Sequence, residues 1–373
     1  MKLAYDAKRL FHNATGLGNY SRTLLANIVA EYPSDQYHLY SADITGSRWK
    51  SSFSSPNFIP KNYSGNNKSY WRSYGITREL EAEQIDIYHG LSNELPFNIK
   101  KSNVKSVVTI HDMIYYRRPQ DFKIIDRNIY HQKTKRACIS ADVIVAISEQ
   151  TKSDIIDILR IPEQKVKVVY QSCSPLYFQP QTKETVAVQK AKLNLPDKYI
   201  LNVGTYEQRK NQWNMIEAYA TLPNQAQVPL LLVGRGKFKR QLQQLARKLG
   251  VADKVQFRSD ITNNQDMQSL YQLATCFVYP SLYEGFGIPV IEAILSGTPV
   301  ITSSTTSLPE AAGPHCTLVD PTNIEAIAAA MEQSILNPES LKEKVELSKT
   351  YVLGKFAAQQ TARDMMAVYQ SLL

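Results

Sequence analysis

The feature that most constrains the fold is a short apolar run followed by a glycine-containing loop and then by a helical pattern. Cys276–Tyr279 indicates a buried strand. Gly285 and Gly287 free the backbone of the next loop, and Pro289 suits the first turn of a helix running to Ser296. This strand, loop and helix predict an open α/β sheet, in which ligands bind beyond the carboxyl ends of the strands.

Two carboxylates belong to this segment. Glu284 lies in the predicted loop, and Glu292 lies about one turn into the predicted helix. A carboxylate repels phosphate but accepts hydrogen bonds from neighbouring hydroxyls, such as the diols of sugars and riboses. The alternative is that Glu284 caps the helix and Glu292 is a solvated surface acid. The spacing alone leaves both interpretations open.

The spacing of Glu284, Phe286, Gly287 and Glu292 resembles the donor-site signature of GT-B glycosyltransferases of family 4. The resemblance implies an α/β fold with two Rossmann-like, doubly wound parallel-sheet domains facing across a cleft. It also implies transfer of a sugar, with retention of configuration, from a nucleotide-sugar donor.

Length and element pattern also predict two domains. A chain of 373 residues exceeds a single compact core, and alternating strands and helices in both halves predict parallel sheets. Prolines mark a linker around residue 175. We therefore predict domains at 1–174 and 175–354. The resemblance implies that a terminal helix, 355–373, packs back on the first domain.

Composition excludes several classes of protein. No run approaches the roughly 20 apolar residues that a membrane span requires, and the start of the chain lacks the apolar segment of a signal peptide, so we expect a cytoplasmic protein. Four separated cysteines suggest neither a disulfide framework nor a zinc site. Since no Asp-x-Asp occurs, we expect no metal, and we expect no cofactor.

The net charge of +9 is concentrated in the first half, where residues 1–172 carry 24 Lys and Arg against 17 Asp and Glu. Such a surface attracts nucleic acid, an anionic membrane or a phosphorylated substrate. No nucleic-acid-binding motif is present, so we expect no nucleic-acid partner. Asp121–Ser140 predicts a basic amphipathic helix with apolar positions at Phe122, Ile125, Ile129, the Lys133 stem and Ala137. This helix is the best candidate for peripheral membrane contact, and packing on the sheet is the alternative.

The first half contains two further candidate segments. Gly16 and Gly18 predict a loop before a helix that begins near Tyr20, and the resemblance places this loop beside the donor phosphates and the acceptor. A purely structural turn is the alternative. Two predicted strands end in His89 and His111, for which a buried core histidine is the alternative. The resemblance places His111 near the donor sugar and the attacking hydroxyl.

The stretch from Thr45 to Gly75 is rich in aromatic residues and is predicted to be irregular. Its aromatic side chains pack on their own domain, stack on an acceptor sugar or enter a lipid interface. The sequence favours the first of these.

In the second half, Arg209 and Lys210 follow the predicted strand Tyr199–Thr205. Two cations at a strand end and helix start suit a diphosphate, and the pair resembles the Arg-Lys-Asn variant of the family's diphosphate motif. An exposed, solvated pair is the alternative. The loop from Arg258 to Thr262 matches the family segment that faces the nucleotide base.

The resemblance therefore assigns catalytic roles to His111, Arg209, Lys210 and Glu284. Glu292 would hold the ribose diol. The other positions expected to bind the donor are Gly16, Gly18, Gly204, Gly234, Phe286, Gly287, Ile288 and Thr306.

The predicted activity is hexosyl transfer to a glycan or lipid-linked acceptor in surface-polysaccharide biosynthesis. Similarity around His111 and Arg209 to mannosyltransferases makes GDP-mannose the first candidate donor, followed by UDP- and dTDP-sugars. A non-hydrolysing sugar-nucleotide epimerase and a non-catalytic binder of polyanions or nucleic acid are the alternatives.

Overall fold

The structure is a computed structural model that describes residues 1–261 and 263–373. The chain divides into two compact units. The first comprises Met1–Ser172 together with Phe356–Leu373, and the second comprises Cys173–Lys355. Each unit has its own parallel sheet and its own apolar core.

Seven described strands form the sheet of the first unit, in the order β3-β2-β1-β4-β5-β6-β7, and all neighbouring strands are parallel. Their apolar runs are buried by helices, as a parallel sheet requires. The strands are β1 (Lys2–Asp6), β2 (Gln36–Ser41), β3 (Phe58–Asn62), β4 (Ile87–Gly90), β5 (Lys105–Ile110), β6 (Val143–Ala146) and β7 (Val166–Val168).

The helices of this unit up to the linker are α1 (Lys8–His12), α2 (Gly16–Glu31), α3 (Lys68–Tyr70), α4 (Ile76–Ala82), α5 (Ile114–Arg117), α6 (Ile124–Ser140) and α7 (Glu149–Leu159). A π-helical turn, Trp71–Gly75, joins α3 to α4. Helix α7 begins as predicted, because the Ser148 side chain accepts a hydrogen bond from the Thr151 amide.

The prediction of an irregular segment from Thr45 to Gly75 is wrong in part. The segment contains β3, which lies at the sheet edge, where Pro60 removes no hydrogen bond that another strand needs. Most of its aromatic residues pack on their own unit, since Phe53 and Trp71 are buried. Tyr70, by contrast, is 60% exposed.

The predicted apolar face of the basic helix is also wrong in part. Helix α6 buries Thr134, Ala137 and Cys138, whereas Ile125 and Ile129 face outward. Of the apolar positions chosen from the sequence, Ala137 and Phe122 pack against the core, whereas Ile125 and Ile129 do not.

The second unit repeats the same topology. Its strand order is β10-β9-β8-β11-β12-β13, again with parallel neighbours. The strands are β8 (Ile200–Val203), β9 (Leu230–Val233), β10 (Val255–Arg258), β11 (Cys276–Tyr279), β12 (Val300–Ser303) and β13 (Thr317–Val319). The helices are α8 (Lys183–Lys192), α9 (Gln212–Ala220), α10 (Lys239–Lys248), α11 (Asn264–Leu273), α12 (Ile288–Leu295), α13 (Leu308–Ala312), α14 (Ile324–Leu336) and α15 (Lys342–Lys355).

The last helix, α16 (Ala358–Gln370), belongs to the first unit. It packs against α2, and its Met365 and Met366 are fully buried. The Tyr369 hydroxyl lies 2.7 Å from His89 Nδ1, so this helix also supplies a polar contact inside the core.

We predict that Met365→Ala lowers the free energy of unfolding of the first unit by about 2–5 kcal/mol, because it leaves a cavity between α16 and its neighbours. Urea unfolding in a Trp213→Phe background measures this, since Trp49 and Trp71 then report only on the first unit. Gln370→Ala, at an exposed position of the same helix, is the control. Equal unfolding midpoints for the two variants would contradict the prediction.

Candidate functional site

The candidate site of the second unit lies where its strand order reverses. β8 pairs with β9 on one side and with β11 on the other, so the chains leaving β8 and β11 diverge at their carboxyl ends. Such a switch point leaves a crevice in which α/β proteins bind ligands. Arg209 and Lys210 follow β8, and Glu284 follows β11.

These three side chains form one ion cluster. Arg209 Nη1 donates to Glu284 Oε2 at 2.8 Å, and Lys210 Nζ donates to Glu284 Oε1 at 2.7 Å. Lys210 Nζ also bonds the Tyr279 hydroxyl. Lys210 and Glu284 are buried, at 9% and 7% exposure, and Arg209 is half-buried. Arg209 and Lys210 are therefore not the exposed, solvated pair that the sequence left open.

Burial and charge act in opposite directions on this cluster. Burial raises the pKa of Glu284, but Arg209 and Lys210 outweigh it and hold the pKa at about 2. Burial lowers the pKa of Lys210 to about 8, against the opposing effect of Glu284. At neutral pH the carboxylate is therefore ionised and the ammonium is mostly protonated.

The loop that carries Glu284 is held by two residues that follow the neighbouring strand β12. The Glu284 amide donates to Thr306 Oγ1 at 3.4 Å, and Ser307 Oγ donates to the carbonyl oxygens of Glu284 and Phe286 at 3.0 and 2.9 Å. Helix α12 receives no side-chain cap, so Glu284 does not cap it. Thr306 and Ser307 thus contact this loop through their hydroxyl groups, just before the five-residue helix α13.

Two predicted glycines are needed for close approach. A Cβ at Gly234 would lie 1.9 Å from the Gly204 carbonyl oxygen. The chain segments that leave β8 and β9 can therefore approach each other only if position 234 has no side chain. Gly287 has φ +123°, and a Cβ there would lie 2.8 Å from Leu308. Ile288 begins α12 directly after this glycine, and Phe286 is buried.

Glu292 is half-buried on α12, where its Oε2 accepts a hydrogen bond of 3.1 Å from Tyr271. Burial raises the pKa of its carboxyl to about 8. It is thus neither a solvated surface acid nor a permanently ionised one. A protonated carboxyl donates one hydrogen bond and accepts others, which suits a ribose diol.

The remaining predicted residues lie in the first unit. The prediction of a loop at Gly16 and Gly18 is wrong, because α2 already begins at Gly16. Gly18 lies inside its first turn, where a Cβ would lie 1.8 Å from the Asn13 carbonyl oxygen. The Gly18 amide donates to Asn13 Oδ1 at 3.2 Å.

The two histidines differ in their surroundings. His89 is a core histidine, with its ring nitrogens 2.7 Å from the Tyr369 hydroxyl and 2.8 Å from Thr109 Oγ1. His111 follows β5, and its Nε2 donates to the Leu91 carbonyl oxygen at 2.8 Å. Burial lowers the pKa of His111 to about 4, so the ring is neutral at physiological pH.

Sequence reasoning missed the partners of the charged groups. No sequence motif marks Tyr279, Ser307 or Tyr271, and only the position of Tyr279 at a strand end could have drawn attention to it.

In the predicted base-facing loop, Arg258 forms an ion pair with Asp260 at 2.7 Å, while Thr262 lies outside the described residues. Among the described residues, no group of three or more His, Cys, Asp or Glu could hold a metal ion.

Comparison with known proteins gives two family matches. The model described as "Glycosyl transferases group 1" matches residues 156–349, and that described as "Glycosyltransferase Family 4" matches residues 28–172. O-antigen chain mannosyltransferase B of Escherichia coli is 34% identical over 254 residues, which are 67% of this chain and 65% of that protein. Serotype-specific mannosyltransferase WbdA of the same species is 29% identical over 78% of this chain. The alignment covers only 36% of the WbdA protein.

A solved structure of Anabaena Alr3699/HepE, in complex with UDP and glucose, matches over the whole of both chains with a TM-score of 0.76 and 16% identity. This likeness shows the fold and confirms the predicted GT-B class of two doubly wound parallel-sheet domains. The group 1 match covers more than half of the chain. The chain therefore belongs to the group 1 glycosyl transferase family.

Proposed function

We propose that the protein is a retaining glycosyltransferase that moves a mannosyl group from GDP-mannose to a glycan or lipid-linked acceptor in surface-polysaccharide biosynthesis. Relatives named as O-antigen and serotype-specific mannosyltransferases support the sugar and the pathway class. UDP- and dTDP-sugars are the next candidate donors, and a structural neighbour was solved with UDP and glucose.

The observation that carries this proposal is the cluster of Arg209, Lys210 and Glu284. Two cations share the buried carboxylate of Glu284, and the half-buried Glu207 forms a further ion pair with Arg209 at 3.4 Å. Lys210 Nζ has three N–H groups, and no third partner is found for it among the described residues. Two cations are thus held in place for the charge that develops on a departing nucleoside diphosphate.

The ion cluster also favours one mechanism of retention. With its pKa held at about 2 by two cations, Glu284 is a weak nucleophile. In the proposed front-face reaction, the bond from the anomeric carbon to the phosphate oxygen breaks while the acceptor oxygen bonds to the same face. The acceptor proton passes to the departing phosphate oxygen. Neutral His111 orients a hydroxyl, and cations take the place of a metal in this proposal.

The proposal includes a peripheral contact with an anionic membrane through α6. Ile124, Ile125 and Ile129 are 70%, 73% and 47% exposed, and Lys123 and Arg127 flank them. Exposed isoleucines with basic neighbours match a bilayer whose surface is negative and whose interior is apolar. No described helix has the length and apolar character to cross a membrane.

We predict that Lys210→Ala and Glu284→Gln each lower the rate of mannosyl transfer from GDP-mannose by about 10²- to 10³-fold, because each removes a group that acts on the donor. Radiolabelled product formation with a membrane-extract acceptor measures this. Lys248→Ala, on the exposed end of α10, is the control. Full activity in both cluster variants would contradict the proposal, as would isomerised donor without an acceptor.

The low pKa of Lys210 predicts a pH effect. Since the ammonium loses its proton above about pH 8, kcat/KM falls as the pH rises through that value. In Lys210→Arg, which stays charged, the fall moves to higher pH. A fall that remains at the same pH in this variant would instead implicate Glu292, whose pKa is also about 8.

For the membrane contact, we predict that the double variant Ile124→Ser, Ile125→Ser binds vesicles of phosphatidylglycerol and phosphatidylcholine at least about tenfold more weakly, because apolar side chains no longer enter the bilayer. Co-sedimentation measures this binding. Val188→Ser, at a 65% exposed position of the second unit, is the control. Equal binding by all three proteins would contradict the contact.

A further inference from the structure

A cavity with a mainly polar lining lies in the first unit at the edge of the sheet opposite to His111. It is lined from the turn Ile99–Lys101, from the start of β5, from the end of α6 and from the turn Glu163–Lys165. Its volume is about 480 Å³. This lies within the roughly 300–1,000 Å³ that is typical of small-molecule sites. We call it the amino-edge cavity.

The parallel pairing of β5, β6 and β7 brings their amino ends together at this cavity. Lys105 begins β5, Asp142 directly precedes β6 and Lys165 directly precedes β7. Strand β5 runs from the cavity toward His111, and at about 3.3 Å per residue its length separates the two by about 20 Å. The cavity therefore lies away from the residues to which the proposed chemistry is assigned.

The charged residues of the lining are three lysines and one acid, namely Lys100, Lys105, Lys165 and Asp142. The acid is engaged with the backbone, because Asp142 Oδ2 accepts hydrogen bonds from the amide and the hydroxyl of Ser106 at 2.7 and 2.8 Å. It thereby joins the starts of β5 and β6. The charges around the cavity sum to a net positive value.

The three lysines differ from those of the cavity at the opposite edge of the sheet. There Lys68 and Lys133 form ion pairs with Asp43 and Glu94 at 2.9 and 3.2 Å. In the part of the chain that the structure describes, none of the lysines of the amino-edge cavity forms an ion pair. Their charges are therefore available to an anion.

One of these lysines is held in position. Lys165 is half-buried, and its Nζ donates to the Ile139 carbonyl oxygen at 2.9 Å, which uses one of its three N–H groups. Burial lowers the pKa of Lys165, and the charge of Lys100 lowers it further, against the opposing effects of Cys138 and Asp142. The two ammonium groups are thus close enough to repel each other, and an anion between them would relieve that repulsion.

The cavity indicates the kind of anion. Lysine ammonium groups bind phosphate as point charges. The cavity is larger than inorganic phosphate, and Ser102, Asn103 and Ser140 add hydroxyl and amide groups to its lining. These groups suit a polar substituent on the phosphate, such as a polyol.

We propose that the amino-edge cavity binds a phosphate ester, with Lys100, Lys105 and Lys165 around the phosphate group. Two sources offer this chemistry. One is a soluble polyol phosphate, and the other is the headgroup of an anionic phospholipid, since Ile139 at the rim is 49% exposed. The site does not rest on the proposed function.

Isothermal titration calorimetry of the full chain with glycerol 3-phosphate at low salt tests the site. We expect binding, with a Kd raised at least about tenfold in the double variant Lys100→Gln, Lys105→Gln, because charge-assisted hydrogen bonds are lost. Both side chains are exposed, so this variant keeps the fold. Lys101→Gln, next to the cavity but not in its lining, is the matched control and keeps the wild-type Kd. Lys210→Ala also keeps it, which excludes binding at the candidate donor site.

No binding of glycerol 3-phosphate at millimolar concentration would overturn the site. Equal Kd values in the double variant and in Lys101→Gln, or equally tight binding of succinate, would overturn it as well. Displacement of the bound ester by phosphatidylglycerol vesicles, but not by phosphatidylcholine vesicles, in the Ile124→Ser, Ile125→Ser background would support the site and identify the lipid headgroup as its source. Binding without such displacement would support the site and identify a soluble ester.

Discussion

The buried contact between Glu284 and its two cations is the interaction on which the second unit's site depends. An isolated buried carboxylate would be costly, and removing one partner of a buried ion pair typically costs about 3–5 kcal/mol. Because Arg209 and Lys210 follow β8 while Glu284 follows β11, the contact joins two loops that the chain separates by more than 70 residues. The parallel pairing of those strands brings the loops together.

The same arrangement occurs once in each unit. Both sheets reverse their strand order beside their first strand, and at each reversal an arginine bonds an acid that follows a neighbouring strand: Glu284 in one unit, Glu94 in the other. In the second unit two cations hold one buried acid, whereas in the first unit one arginine lies between two acids.

Much of the fold was predictable because apolar strands and their glycine-marked loops are local signals. The failures have physical causes. β3 was missed because Pro60 and polar neighbours resemble a loop, which an edge strand tolerates. Gly16 and Gly18 argued against a helix, yet both belong to the first turn of α2. Position 18 needs glycine because the Asn13 carbonyl oxygen leaves no room for a Cβ. The outward isoleucines of α6 could not be identified without knowing which face meets the sheet.

By itself the sequence determined the parallel α/β class, since alternating apolar strands and helices are a local pattern. Its resemblance to the family selected the candidate residues Arg209, Lys210 and Glu284 and, together with the length, the two-domain organisation. Only the tertiary structure decided that these three side chains share one buried ion cluster and that His89 is a core residue. It alone brought Arg72 between Asp6 and Glu94. Burial and pairing depend on contacts between residues far apart in the chain, and no local pattern encodes them.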